Sequence, residues 1–124
     1  MTRSQDFADA LHRLEQDGDV DTFAASFSDD AVLLRPEPGN GDEGADGARQ
    51  FWQAYLDQFE TIASTFSRVA EDGDLGELEW VGEGRLRTGR DISYAGVSLL
   101  SFTGDGKVER FATYYDTAAF SHPG

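Results

Sequence analysis

The sequence predicts an α+β fold, three N-terminal helices packed on one face of a strongly curved antiparallel or mixed β-sheet. Three observations carry this prediction. Apolar residues recur at helical intervals only in the first half of the chain, most clearly as Ala48, Phe51, Trp52, Tyr55, Leu56 and Phe59. From Thr61 onward, runs rich in β-branched and aromatic residues alternate with short turn signals. The last signal, Gly104-Asp105-Gly106, supplies the left-handed positions of a tight hairpin, so the following segment returns as a strand beside its predecessor.

Taken in order, the first helix runs from a cap at Ser4 to about Gln16 and buries a stripe of Phe7, Ala10, Leu11 and Leu14. His12 lies off that stripe and reads as solvated. Gly18 ends the helix. Asp19 or Asp21 caps a shorter second helix, whose apolar face is Val20, Phe23, Ala24 and Phe27 and which closes at Ser28-Asp29-Asp30. Ala31 to Arg35 reads as a strand stopped by Pro36, and Glu37 to Gly44 as a loop. The third helix spans about Asp46 to Phe59, and its broad apolar stripe must lie against a sheet. Strands follow at Thr61 to Ala70, Leu75 to Arg87 and Ile92 to Thr103.

The final segment, Gly104 to Phe120, is read as a central strand. Side chains alternate across a strand, so Phe111, Thr113 and Tyr115 share one face, suited to a pocket wall, while Ala112, Tyr114 and Asp116 share the other. Asp116 can cap the short turn Thr117 to Phe120, and His122 falls in a tail expected to be disordered.

With 124 residues and 39% hydrophobic content, the chain is expected to form a single domain over 1–124 and to bury a core without staples. The absence of cysteine excludes disulfides, thiolate chemistry and cysteine-based zinc sites, and fits a cytoplasmic location. Met1 leads into polar sequence with no signal-peptide core, and no apolar stretch reaches membrane-spanning length. A formal net charge of -14 repels phosphate backbones and anionic headgroups, which argues against nucleic-acid and membrane partners. The acidic clusters sit in turn-like sequence without the ligand spacing of a calcium loop, so no metal is expected.

Gly18-Asp19-Val20-Asp21, then Phe23 and Phe27 to Val32, then Gly44 before an aromatic helix, and Gly106-Lys107-Val108 running to Tyr114-Tyr115-Asp116 together carry a resemblance. In order and spacing this resembles the SnoaL-like branch of the nuclear transport factor 2 superfamily over nearly the whole chain. The resemblance implies a cone of three helices wrapped by a bent sheet, an interior pocket for a small hydrophobic molecule and a homodimer formed through the sheet, with no cofactor. The superfamily holds cyclases, isomerases, epoxide hydrolases and binding modules, so fold alone does not select a reaction.

Carried over residue by residue, the known catalytic sets are incomplete. The ketosteroid isomerase base falls at Arg35, ahead of Pro36, and its two oxyanion donors fall at Leu11 and Ser98. The last-strand aspartate of the epoxide hydrolases falls at Thr113. On the strand Leu75 to Arg87 the resemblance turns Glu79, Val81, Glu83 and Arg85 toward the pocket, leaving Trp80 outward for a dimer contact. Hydrophobic pattern alone predicts the reverse, with Leu78, Trp80 and Leu86 inside. Two functions follow. One is a cofactor-independent proton-transfer enzyme on an oxygenated hydrophobic substrate, with Glu83 as acid or base, Arg35, Arg85, Tyr55 and Thr113 orienting, and Phe51, Ser98, Phe111 and Tyr115 completing the pocket. The other is a non-catalytic ligand-binding or dimerisation module.

Overall fold

The computed structural model describes residues 2–36 and 41–121. Its order is α1 (Arg3–Asp17), α2 (Val20–Ala24), β1 (Phe27–Leu34), β2 (Gly41–Glu43), α3 (Gly44–Asp57), β3 (Phe59–Asp72), β4 (Leu75–Leu86), β5 (Asp91–Phe102), β6 (Val108–Tyr115) and α4 (Ala118–Ser121). The expected tail residue His122 lies outside the described residues. Six strands form one curved sheet in the order β2-β1-β6-β5-β4-β3. The β1–β6 pair is parallel and the others are antiparallel, so β6 is a central strand as its composition predicts.

Local chemistry moves several boundaries. Thr2, not Ser4, caps α1 by accepting from the Gln5 amide, while Ser4 is buried and bound to Glu71. Gly18 ends the helix in the left-handed conformation, with its amide returned to the Leu14 carbonyl. Phe27 to Asp30 extend a strand instead of closing α2, because Phe27 pairs with Val108 and its ring joins the aromatic core. Gly41–Glu43, read as loop, adds an edge strand to β1. Asp116 does cap the last turn, accepting from the Ala118 amide.

The core lies between α1, α2 and α3 and the inner face of the sheet. Phe7, Phe23, Phe27, Trp52 and Phe111 form its aromatic centre, with Phe23 and Trp52 edge-to-face at 4.9 Å. Each such ring contributes about 1.5–3 kcal/mol through burial. No helix among the described residues is long and apolar enough to cross a membrane.

Strand β4 settles the competition between the two registers. Leu78 and Leu86 are buried and Trp80 is packed inward, whereas Val81, Glu83 and Arg85 are exposed on the outer face. The expectation that Glu83 and Arg85 face the pocket is therefore overturned, as is a dimer contact through Trp80. An inward Glu83 would have to be desolvated without a partner, while Trp80 and Leu86 gain by leaving water. In the structure Arg85 pairs with Asp91 at 3.1 Å and Arg68 with Glu79 at 3.2 Å, both on the solvent side.

Candidate functional site

A cavity opens between the sheet and α3, closed at one end by α4. Helix α3 contributes Phe51, Trp52 and Tyr55, on one face of the helix because they follow its three-and-four spacing. Strand β6 contributes Phe111, Thr113 and Tyr115, the face its alternation assigns to a pocket. Trp80, Tyr94 and Ser98 come from β4 and β5, and Phe120 from α4 rests on Tyr94 at 4.8 Å. Arg90 holds α4 in place by donating to the carbonyls of Ala119 and Phe120.

The space open to the centres of water-sized molecules is about 50 Å³. At roughly 10–15 Å³ of such space per water, it has room for about four waters, comparable to one substituted aromatic ring. This is tighter than the few hundred cubic ångströms of a typical ligand site.

Polar groups, Gln58 among them, interrupt the aromatic wall. The Arg35 guanidinium, carried past the end of β1, lies 4.8 Å from the centre of the Phe51 ring in a cation–π contact. Trp80 Nε1 donates to Ser98 Oγ at 3.0 Å, and Ser98 Oγ lies 2.9 Å from Thr113 Oγ1, a hydroxyl chain linking β4, β5 and β6. Tyr55 donates to Glu15 of α1 at 2.7 Å, and Ser64 of β3 donates to the same oxygen at 2.7 Å. Burial pushes the Tyr55 and Tyr94 phenols well above their ordinary range, helped for Tyr55 by the Glu15 charge and for Tyr94 by Tyr115 and Glu15, so both remain protonated at neutral pH. Trp52 Nε1 is buried and makes no hydrogen bond among the described residues.

Of the residues expected at the pocket, Arg35, Phe51, Tyr55, Ser98, Phe111, Thr113 and Tyr115 line this cavity, and Glu83 and Arg85 do not. Leu11, Arg35, Ser98 and Thr113, the positions matched to catalytic groups of related enzymes, all reach it. Glu15 was missed because it interrupts no pattern: on a helical wheel it is one more polar residue beside the Leu11 and Leu14 stripe. His12, expected to be solvated, instead sits 2.8 Å from the Ser64 carbonyl and packs its ring against Phe66.

A helical layer over a bent mixed sheet, enclosing an apolar cavity between them, defines a protein of the nuclear transport factor 2-like class. The sequence profile of the SnoaL-like domain matches residues 5–111, and the chain belongs to that family. Among solved structures it is similar to a nuclear transport factor 2-like protein of unknown function from Exiguobacterium sp. 255-15, at 22% identity over 94% of this chain and 99% of that one, TM-score 0.77. It is also similar to a putative SnoaL-like polyketide cyclase from Jannaschia sp. CCS1, at 18% identity over 100% and 97%, TM-score 0.79. A Mycobacterium tuberculosis protein solved with estradiol-17β-hemisuccinate matches at 15% identity over 96% and 98%, TM-score 0.79. No curated protein sequence matches this chain significantly.

Proposed function

We propose that this protein binds a small, flat, hydrophobic molecule bearing an acidic or strongly accepting oxygen, and that the cavity behind α3 is its site. The observation that carries this reading is the Arg35 guanidinium stacked on Phe51 at the wall of a largely aromatic cavity. A cation in such surroundings interacts strongly with a carboxylate because little water screens the pair. The ligand of the Mycobacterium tuberculosis protein of similar fold, an aromatic steroid carrying a hemisuccinate acid, shares the acid and the aromatic ring but is larger than this cavity. Proton transfer by Glu83 has no support, since that carboxylate stands in solvent on the outer face.

The test is calorimetric titration with benzoate, chosen to fit the cavity. Wild type is expected to bind one equivalent. Arg35→Leu is expected to weaken binding about tenfold, the ~1.4 kcal/mol scale of one charge-assisted contact, while Glu83→Gln binds as wild type. Absence of one-to-one binding, or loss through Glu83→Gln instead of Arg35→Leu, would overturn the reading.

The partner on the sheet is read as a second copy of this chain. Val81, Leu99 and Tyr114 on the outer face are 36%, 39% and 46% exposed, and the cross-strand pairs Val81–Ala95, Leu99–Ala112 and Val97–Tyr114 join them into one apolar strip. Sedimentation velocity at micromolar concentration distinguishes dimer from monomer.

A further inference from the structure

The donor and acceptor inventory of the cavity wall goes further than its shape. Glu15 accepts three hydrogen bonds: from Tyr55 Oη at 2.7 Å and Ser64 Oγ at 2.7 Å on one oxygen, and from the Ser64 amide at 2.9 Å on the other. A phenol and an aliphatic hydroxyl each carry a single proton. Both protons are committed to Glu15. Tyr55 and Ser64 line the cavity, whereas the carboxylate stands on α1 behind them. This part of the wall therefore presents lone pairs and no proton. Burial and the Glu15 charge also keep the Tyr55 phenol protonated, so its oxygen remains a neutral acceptor.

The Arg35 end has the opposite character. A guanidinium donates and cannot accept. Phe51, which carries Arg35, and Tyr55 are one helical turn apart on α3, about 6 Å along its axis. The groups themselves lie beyond the helix backbone, Arg35 over the Phe51 ring and the Tyr55 hydroxyl at Glu15, so they stand at different points of the same cavity wall.

We propose that Glu15, by holding the protons of Tyr55 and Ser64, makes the cavity selective for aromatic acids with a hydrogen-bond donor opposite the acid, of which a para-hydroxybenzoate is the simplest form. The hydroxyl donates to Tyr55 or Ser64 and the carboxylate accepts from Arg35. This proposal rests on the reading of the cavity as a site for a flat acidic molecule and deepens it by naming the second functional group. The same network also ties α1 to β3, and a purely structural role for Glu15 would leave ligand preference untouched.

The experiment compares 4-hydroxybenzoate with 4-fluorobenzoate, a nearly size-matched ring that lacks the donor, by calorimetry on wild type, Glu15→Gln and Tyr55→Phe. Wild type is expected to prefer the hydroxyl compound about tenfold. In Glu15→Gln the Ser64 backbone amide holds the glutamine oxygen where it held the carboxylate, so the side-chain amide NH2 faces the hydroxyls of Tyr55 and Ser64 and donates to them. Their protons are released into the cavity, and the preference is expected to fall to about one or to invert. Tyr55→Phe removes one acceptor, together with its hydrogen bond to Glu15, while the two Ser64 hydrogen bonds to the carboxylate stay in place; it is expected to reduce the preference, and serves if Glu15→Gln fails to fold by circular dichroism. Equal affinity of wild type for both compounds, or a preference that survives both substitutions, overturns the proposal. Should benzoate bind through Arg35 while the two derivatives bind equally, this inference alone fails; should no benzoate bind, the reading of the cavity fails with it.

Discussion

Trp80 and Gly96 face each other across the β4–β5 pair, and the indole occupies the volume that a side chain at position 96 would need. A methyl group on Gly96 would stand 2.4 Å from Trp80 Cζ2 and 2.6 Å from the Tyr114 carbonyl oxygen. The neighbouring pair repeats the arrangement in reverse: Tyr94 leans over Gly82, where an added methyl would meet its ring at 3.0 Å. Each glycine makes room for a large ring from the next strand, and the two rings meet edge-to-face at 5.2 Å to form a wall of the cavity.

Gly96→Ala is accordingly expected to destabilise the fold by about 1–3 kcal/mol, the usual scale of overpacking. Urea unfolding should show a lower midpoint with an unchanged slope. A loss below about 0.5 kcal/mol, the range of an ordinary surface substitution, would mean that Trp80 moves aside at little cost.

Glu71 gives the stability of α1 a pH dependence. Its side chain is only 16% exposed, and it accepts from the amide and hydroxyl of Ser4 in the first turn of α1, with Arg3 beside it. Burial by itself would raise its pKa, but the Ser4 hydrogen bonds and the Arg3 charge outweigh that and hold it below the ordinary value. A carboxylate whose pKa is depressed on folding contributes stability above its unfolded pKa, about 4.3 for glutamate, and loses it as pH falls through the folded value. Glu71→Gln should thus cost about 1–2 kcal/mol at pH 7. The gap from wild type should narrow below about pH 4, as followed by unfolding free energy against pH. A gap constant down to pH 3 would show that the charge of Glu71 plays no part.

On the outer face, Leu99→Glu places a charge within the apolar strip of a chain that already carries a net -14. Wild type is expected to sediment as a dimer at micromolar concentration, and the variant as a folded monomer with unchanged circular dichroism. A monomeric wild type rules out the proposed interface.

Much of the fold could be read from residues alone. The α3 stripe, the alternation of Phe111, Thr113 and Tyr115, the Gly104 to Gly106 hairpin, in which Gly106 and not Gly104 is left-handed, and the Gly18 stop reappear, because period, turn chemistry and capping are local properties of the chain. Alternation brought Thr113 to the cavity, whereas Arg35 and Ser98 were indicated by the family resemblance. At β4 the hydrophobic pattern and the resemblance competed, and the sheet adopts the pattern, with Leu78, Trp80 and Leu86 inside and Glu83 and Arg85 outside. Resemblance to enzymes with a charged inner face pointed the wrong way there.

What the sequence determined by itself was the kind and order of the elements and the side-chain set each could offer to a pocket. Which side of β4 faces inward was decided only in the assembled sheet, where Gly82 and Gly96 accept the rings of Tyr94 and Trp80 while Glu83 keeps its hydration. The Glu15 network is likewise tertiary, since it joins residues 40 and 49 positions apart in the chain. Helical and strand periods say which way a side chain points; the partner it meets depends on how distant elements pack, because hydrogen bonding and desolvation act through space between residues that no local pattern relates.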